Sequence, residues 1–177
     1  GMPPEQRIFV NRNLRLRSIA AVGFDLDYTL ARYRVRAIDD LAFRITQQKL
    51  VERGHPEEIL RARFEPGSLV RGLVVDRRRG NVLKMDYHNY VVRAAHGFRP
   101  LSDAERKRVY RARRIRTSGK DYVSIDTFFH LPEIHLYLAL VELYDSLGKK
   151  TDYPRLHREV RESIDQAHAD GSIKSEI

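Results

Sequence analysis

The fold class is indicated by the stretch AAVGFDLDYTL at residues 20–30. In it an apolar run ends abruptly at Asp25 and Asp27, and a hydroxyl residue, Thr29, follows two positions later. The apolar run predicts a buried strand over residues 19–25, which would carry both acids at its C-terminal end beside a loop. Two acids in such a position are more typical of a functional site than of packing. An Asp pair that only caps or turns the chain is the structural alternative.

Composition bounds the class of protein. The chain has 177 residues, enough for one domain with its own core. Cysteine is absent, which excludes disulfides and cysteine-ligated zinc and fits a reducing compartment. No run approaches the ~20 apolar residues that span a bilayer, so we expect a cytoplasmic protein with no membrane partner. The net charge of +9 favours anionic partners, among them nucleic acid and phosphorylated small molecules.

Hydrophobic periodicity predicts helices on both sides of a β-meander. The first helix is predicted from Asp39 to Gly54, and a second from Pro56 to about Phe64. Three strands are predicted over residues 69–97, and a further strand over residues 121–125. Two more helices are predicted, from Pro132 to Gly148 and from Pro154 to Gly171. Their apolar stripes are Leu136, Leu140, Leu143 and Leu147 in the first, and Leu156, Val160, Ile164 and Ala167 in the second.

The most basic segment is residues 106–116, which holds seven Lys and Arg side chains. It follows a capping box formed by Ser102 and Glu105, which predicts a short helix. A solvated helix face is the expected interpretation. Nucleic-acid binding is the alternative, and we do not expect it because no glycine-rich or aromatic-stacking motif accompanies the segment.

The spacing of Asp25 and Asp27 can supply phosphoryl-transfer chemistry from one turn. An aspartate that attacks a phosphomonoester faces a dianion, so a cation is needed, and Mg²⁺ prefers carboxylate and carbonyl oxygens. Asp25 can act as both nucleophile and metal ligand. Asp27 can protonate the leaving-group oxygen and later activate the water that cleaves the aspartyl-phosphate. The residues therefore favour a magnesium-dependent phosphohydrolase, with the purely structural Asp pair still open.

The segment FDLDYTL at residues 24–30 resembles the first motif, D-x-D-x-T-L, of the haloacid dehalogenase (HAD) superfamily. More narrowly, the chain is similar to the cytosolic purine (IMP/GMP-specific) 5'-nucleotidases over nearly its whole length. Further matching segments follow in collinear order at residues 10–14, 71–74, 80–84, 95–98 and 131–133. The resemblance implies an α/β fold with a HAD-like Rossmannoid core, of which this chain holds only the first strand and motif. Residues 1–36 would belong to that core, and residues 37–177 to a large mixed α+β cap insert.

The resemblance also implies roles for individual residues. Asp25 would be the nucleophile, Asp27 the general acid/base, and Asp25 with the Asp27 carbonyl would bind Mg²⁺. The substrate would be a purine nucleoside 5'-monophosphate, which Phe129 could stack against. The substrate-binding positions fall on Phe129, His130, Arg161, Asp165, His168 and Lys174.

The sequence departs from the family pattern at one of these positions and offers another explanation for two others. His130 stands where the family usually has Asn, which bears on base selectivity. Arg161, Asp165 and His168 share one helical stripe by their spacing, and Arg161 with Asp165 could equally form a simple surface ion pair.

Three elements of the superfamily are expected after the segment that matches residues 160–174. They are a Thr or Ser and a Lys that bind the phosphoryl group, and a further acidic motif for the metal. We therefore expect this chain to be the front part of a longer enzyme, with little or no turnover by itself. The resemblance also implies a homo-oligomer. The alternative functions are a noncatalytic nucleotide-binding or regulatory module and a basic nucleic-acid-binding protein.

Overall fold

The computed structural model describes eight stretches of the chain and divides it into two compact units, residues 1–33 and 34–177. The described stretches are residues 3–7, 15–26, 29–32, 34–111, 114–117, 119–127, 130–148 and 150–176. Within them, no helix combines the length and apolar character that crossing a membrane requires. The helices and strands that carry the hydrophobic core belong to the second unit, so the two units are described separately.

The first unit contains two short 3₁₀ turns, Pro4–Gln6 and Leu16–Ser18. Residues 19–26 form no strand, and Val22 and Phe24 are each 71% exposed. The prediction of a buried strand over residues 19–25 is therefore wrong in this structure, and the Rossmannoid core to which that strand was assigned stays a prediction. A strand needs neighbours to satisfy its backbone N–H and C=O groups, and no strand in the described residues pairs with this segment.

The second unit is mixed α and β. Its α-helices are α1 (Val35–Glu52), α2 (Asp103–Tyr110), α3 (His130–Ser146) and α4 (Tyr153–Ala169). Its strands are β1 (Leu73–Asp76), β2 (Asn81–Met85), β3 (Val91–His96), β4 (Arg99–Pro100) and β5 (Tyr122–Ile125). The helices predicted from Asp39, after Ser102, from Pro132 and from Pro154 are confirmed, although α1 begins earlier, at Val35. The helix predicted from Pro56 to about Phe64 is instead a 3₁₀ turn, Glu57–Arg61. The strands predicted over residues 69–97 and 121–125 are confirmed and are shorter than predicted.

The five strands form one antiparallel sheet in the order β4-β3-β2-β1-β5. Because β1 lies between β2 and β5, Val75 stands opposite Val82 on one side and Val123 on the other. The register of β2 against β3 shifts between Lys84 and Met85. This meander brings the β2–β3 turn and the β1–β2 turn to opposite ends of the sheet.

Each face of the sheet carries its own apolar cluster, because successive residues of a strand point to opposite sides. On one face, Val75, Val82 and Ile125 join the main core with side chains of α1, α3 and α4. On the other face, Val74 and Leu83 pack with Tyr110 of α2 and with Ile115. The helix α2 therefore covers the face of the sheet that is turned away from α3.

The helix α2 begins at the predicted capping box. The backbone N–H of Ser102 donates to Glu105 Oε2 at 2.7 Å, and the N–H of Glu105 donates to Ser102 Oγ at 3.3 Å. These two bonds satisfy backbone donors that a helix start otherwise leaves free. The basic segment of residues 106–116 therefore starts on a helix whose first turn is fixed.

The helix α3 lies at the centre of the second unit. The predicted stripe residues Leu136 and Leu140 are 1% and 0% exposed, but Leu147 is 44% exposed. Burial extends well beyond one stripe and includes Ile134, Tyr137, Leu138 and Val141. The stripe was therefore too narrow a prediction, since α3 packs against α1, α4 and the sheet at the same time.

The helix α4 lies on the surface with one apolar face inward. Its predicted stripe of Leu156, Val160, Ile164 and Ala167 is buried, with exposures from 0% to 6%. Asp152 caps its start by accepting the N–H of Arg155 at 3.1 Å. The remaining faces of α4 are thus free to carry polar side chains towards α3 and towards solvent.

Candidate functional site

In the Asp25 motif, the name used here for residues 25–29 of the first unit, the described residues are joined by local hydrogen bonds. The backbone N–H groups of Leu30 and Ala31 both donate to the carbonyl of Leu26, at 3.0 and 2.9 Å. The hydroxyl of Thr29 donates to Asp25 Oδ2 at 3.1 Å. Asp25 is exposed, so its carboxylate is oriented by a hydroxyl and is open to solvent.

Two residues, Asp25 and Asp27, are predicted to bind the metal ion. The structure describes Asp25, whereas Asp27 lies outside the described residues. In the part of the chain that the structure describes, no three His, Asp or Glu side chains form a group that could hold a metal ion. Asp25 nevertheless offers an exposed carboxylate, which is the ligand type that Mg²⁺ prefers. The donor chemistry of Asp25 fits a magnesium ion, and the assignment of both aspartates stays a prediction.

A second set of functional side chains lies in the second unit, where α3 meets α4. The set, here called the α3–α4 polar cluster, consists of His130, Glu133 and Tyr137 of α3 and His157, Arg161 and Asp165 of α4. The spacings of three or four residues place the members of each helix on one face. Three members, His130, Arg161 and Asp165, are among the predicted substrate-binding residues.

Arg161 is the centre of this cluster. Its Nη1 donates to Glu133 Oε2 at 2.9 Å, and its Nε donates to Asp165 Oδ2 at 3.2 Å. The side chain of Glu133 is 4% exposed, whereas that of Arg161 is 46% exposed. A buried carboxylate therefore holds a guanidinium whose outer part faces solvent. The predicted Arg161–Asp165 contact is confirmed as an ion pair, but its partner Glu133 was not predicted.

The buried position of Glu133 has an electrostatic cost. Burial raises the pKa of Glu133, while the positive charges of Arg161 and His130 act in the opposite direction. A buried carboxylate persists in the charged form only when cations and hydrogen bonds compensate it. Arg161 supplies that compensation, so the two groups hold each other in place. The signal in the sequence was a lone acid, Glu133, within the apolar run of α3.

Three buried polar atoms of the cluster have no hydrogen-bond partner in the described part of the chain. They are His130 Nδ1, Tyr137 Oη and His157 Nε2. The rings of Tyr137 and His157 meet edge to face, with centroids 5.2 Å apart. Buried polar groups are normally satisfied, so such atoms are available to a ligand or to an ordered water.

His157 is the most strongly perturbed of these groups. Burial lowers the pKa of His157 to about 4, and the positive charges of Arg77, Arg161 and His130 act in the same direction. At neutral pH its imidazole is therefore uncharged, with one nitrogen able to accept a hydrogen bond and the other able to donate one. Neither His157 nor Tyr137 was predicted, because each is isolated in the sequence among apolar or basic neighbours.

The other predicted substrate-binding residues lie elsewhere or outside the described residues. His168 is exposed near the end of α4, and among the described residues no hydrogen bond or ion pair joins it to the cluster. Lys174 lies in a 3₁₀ turn, Lys174–Glu176. Phe129 is outside the described residues. The structure thus brings together His130, Arg161 and Asp165, and the substrate-binding roles of all six residues stay predictions.

Comparison with known proteins gives a family-level match. The model of the family described as "5' nucleotidase family" matches residues 8–177. The chain is 28% identical over 177 residues to a 5'-nucleotidase domain-containing protein of Dictyostelium discoideum, a match that covers 97% of this chain and 30% of that relative.

Two mammalian proteins match in the same way. The human 5'-nucleotidase domain-containing protein 2 is 28% identical over 192 residues, covering 96% of this chain and 36% of that protein. Its rat counterpart is 27% identical over 189 residues, covering 96% and 34%. The chain therefore spans about a third of the length of the curated relatives that it matches.

Proposed function

Because this chain belongs to the 5' nucleotidase family, we propose that the protein hydrolyses purine nucleoside 5'-monophosphates of the IMP and GMP type. The observation that carries the substrate assignment is Arg161, a half-exposed guanidinium held between buried Glu133 and exposed Asp165. The family match supports the reaction class, and the α3–α4 polar cluster supports the recognition of a polar ligand. We further propose that the Asp25 motif belongs to a HAD-like catalytic core.

In the proposed first step, a carboxylate oxygen of Asp25 attacks the phosphorus atom. The bond from phosphorus to the 5'-oxygen of the nucleoside breaks, and Asp27 donates a proton to that oxygen. The Thr29 hydroxyl, which donates to Asp25 Oδ2 at 3.1 Å, holds one oxygen of the carboxylate and leaves the other without this bond. The products of this step are the free nucleoside and an aspartyl-phosphate at Asp25.

In the second step, water attacks the phosphorus of the aspartyl-phosphate and Asp27 takes the proton of that water. The acyl phosphate bond breaks, which releases inorganic phosphate and restores the Asp25 carboxylate. Asp25 and the backbone carbonyl of Asp27 would hold Mg²⁺, whose charge offsets the negative charge of the phosphoryl group when it is bound. Both steps balance without any redox partner.

The base would be recognised by the α3–α4 polar cluster. The guanidinium of Arg161 is suited to donate to the carbonyl oxygen of a 6-oxopurine, and the Asp165 carboxylate is suited to accept the adjacent ring N–H. An adenine base presents an amino group and an unprotonated ring nitrogen at these positions, so it would leave both protein groups mismatched. This arrangement accounts for a preference for IMP and GMP over AMP.

The proposal is tested with the intact gene product that contains this segment. We expect phosphate release from IMP and GMP to exceed release from AMP and to stop when EDTA removes divalent cations. Asp25→Asn should lower the rate by about a thousandfold or more, since losing a nucleophile removes the covalent route. The matched control is Asp152→Asn, which makes the same chemical change at the cap of α4 and should affect stability only. Undiminished phosphate release by Asp25→Asn would overturn the mechanism.

The same measurements distinguish the proposed enzyme from the alternative function, a noncatalytic nucleotide-binding module. If the intact protein binds IMP but releases no phosphate under any divalent cation, the family site acts as a nucleotide-binding or regulatory module. Isothermal titration with IMP, compared between wild type and Asp165→Asn, measures binding independently of turnover. Loss of binding in Asp165→Asn would then assign the nucleotide to the α3–α4 polar cluster even without catalysis.

A further inference from the structure

Positive charge is concentrated in one part of the second unit. Residues 84–120 carry eleven of the 33 Lys and Arg side chains but only three of the 24 Asp and Glu side chains. This fifth of the sequence therefore accounts for nearly all of the net charge of +9. It includes α2, which covers the face of the sheet turned away from α3 and α4.

Several of these cations have no acidic partner. Arg99 and Arg106 pair with Glu105 and Asp103, at 3.2 and 3.1 Å. By contrast, Lys107 and Arg111 are exposed and make no ion pair with any described residue. They lie four residues apart and so share one side of the helical segment, with their charges directed to solvent.

The fold brings exposed aromatic rings to this side of α2. The β2–β3 turn is fixed to the segment after α2, because Ile115 N–H donates to the Asn89 carbonyl at 2.9 Å and Arg114 Nε donates to the His88 carbonyl at 3.2 Å. Tyr90 also forms a β-bridge with Arg114. Tyr87, at the tip of the turn, is 89% exposed, and within the described stretches its ring contacts that of its neighbour His88, with centroids 3.7 Å apart.

An open cleft lies between the turn and the helix. Its volume is ≈ 430 Å³, and it is lined by Tyr90, Val91, Arg106, Lys107, Tyr110 and Arg111. A cleft of this size accommodates one nucleotide unit. One wall carries cations and the other carries the aromatic ring of Tyr90. We name the surface formed by Tyr87, Tyr90, Lys107, Arg111 and Arg114 the basic-aromatic surface.

We propose that the basic-aromatic surface binds single-stranded nucleic acid. Lys107, Arg111 and Arg114 would contact successive phosphates, and bases would stack on Tyr87 and Tyr90. Single strands are favoured over duplexes because only unpaired bases expose the faces that an aromatic ring can stack on. An acidic protein segment would use the cations but would give no role to a tyrosine ring that is 89% exposed.

This surface differs from the site of the proposed nucleotidase reaction, and the inference does not rest on that reaction. It also reverses the expectation from the sequence, where no aromatic motif accompanied the basic segment. Tyr87 lies more than twenty positions before Arg111 in the chain, and only the pairing of the β2–β3 turn with residues 114–115 brings the two features together.

The test measures binding of the full chain to a fluorescein-labelled 12-nucleotide single-stranded RNA by fluorescence anisotropy at several salt concentrations. We expect Tyr87→Ala to weaken binding roughly tenfold, as the loss of one stacking platform does. The double variant Lys107→Gln/Arg111→Gln should weaken binding further and should reduce the slope of log Kd against log salt by about 1.4, since two phosphate contacts are lost.

The matched control is Arg61→Gln/Arg158→Gln, which also removes two positive charges, at exposed positions elsewhere in the second unit. This control should retain the affinity and the salt slope of the wild type. An equal loss in the control would show that only net charge attracts the RNA and would overturn the proposal. Polyglutamate competing as well as unlabelled RNA, with no effect of Tyr87→Ala, would also overturn it in favour of an acidic protein partner.

Discussion

Glu133 and Arg161 show how one buried acid can position an exposed cation. Glu133 is 3% exposed, and its carboxylate fixes Nη1 of a guanidinium that also reaches Asp165. An arginine held at two points loses less conformational freedom when it binds a ligand, which favours affinity. Glu133 is therefore best regarded as a positioning residue for Arg161 within the proposed nucleotide site.

Glu133→Gln tests this role in the intact protein. We expect the KM for IMP to rise roughly tenfold while kcat changes little, because a charge-assisted hydrogen bond to Arg161 is lost but the reacting groups are untouched. Initial-rate kinetics with IMP measure both quantities. Glu162→Gln, which makes the same change at an exposed acid next to Arg161 on α4, is the matched control and should leave KM unchanged. A fall in kcat without a change in KM would contradict the positioning role.

His157 makes stability depend on pH. The pKa of its imidazole is lowered from 6.5 to about 4 in the folded state, mainly by burial. Between these two values the unfolded chain binds more protons than the folded chain, so acid favours unfolding. The contribution to stability is fully present above about pH 6.5 and is lost as the pH falls to about 4, with a magnitude on the order of 3 kcal/mol.

The prediction is measured by urea unfolding from pH 4 to pH 7.5 for wild type and His157→Phe. We expect the difference in free energy of unfolding between the two proteins to change by a few kcal/mol in favour of the variant as the pH falls. The difference is needed because burial raises the pKa of Glu133 and of Asp39, which gives a pH dependence of the opposite sign in both proteins. If the free energies of unfolding of the two proteins changed in parallel with pH, the assignment of this pH dependence to His157 would be contradicted.

At the scale of elements, α3 is the helix on which the second unit depends. It packs against α1, α4 and β3, and most of its side chains are buried. An apolar stripe read from the sequence identified Leu136 and Leu140 correctly but also included exposed Leu147. The reason is physical, because a helix that is covered on several sides has no single apolar face to detect.

A matched pair of substitutions, one within α3 and one at the residue that follows it, checks this description. Leu140→Ala removes a side chain that is 0% exposed and should destabilise the protein by about 2 to 5 kcal/mol, through lost burial and the cavity left behind. Leu147→Ala makes the same change at a side chain that is 44% exposed and should stay within about 0.5 kcal/mol of wild type. Chemical denaturation measures both. Equal losses would contradict the observed burial.

At the scale of the whole molecule, the apolar clusters of the described residues lie between positions 41 and 173. In the first unit, none of the described residues is buried, and apolar side chains such as Val22 and Phe24 are exposed. The second unit thus has the hydrophobic core and hydrogen-bonded sheet that a domain needs for independent folding.

A chain consisting of residues 34–177 should therefore fold alone. We expect one cooperative urea transition whose free energy of unfolding lies within about 1 kcal/mol of the full chain, because no described residue among those removed is buried. Circular dichroism and tyrosine fluorescence follow the transition, since the chain has nine tyrosines and no tryptophan. Loss of cooperativity in the shortened chain, with cooperativity kept in the full chain, would show that residues 1–33 complete the core.

The sequence by itself determined the features that depend on near neighbours in the chain. The stripe of α4 and the capping box at Ser102 each join groups within four residues or within one helix face. Such features follow from local spacing and side-chain chemistry, so periodicity and motif suffice to predict them. The family resemblance added the reaction class and the residues Arg161 and Asp165.

Only the tertiary structure decided which distant groups meet. Glu133 lies 28 positions from Arg161, and the β2–β3 turn carries Tyr87 to the basic segment that follows α2. The strand predicted over residues 19–25 failed for the same reason, since a strand exists only where another segment pairs with it. Partners at long separation are chosen by packing and hydrogen bonding across the whole molecule, and no local pattern encodes them.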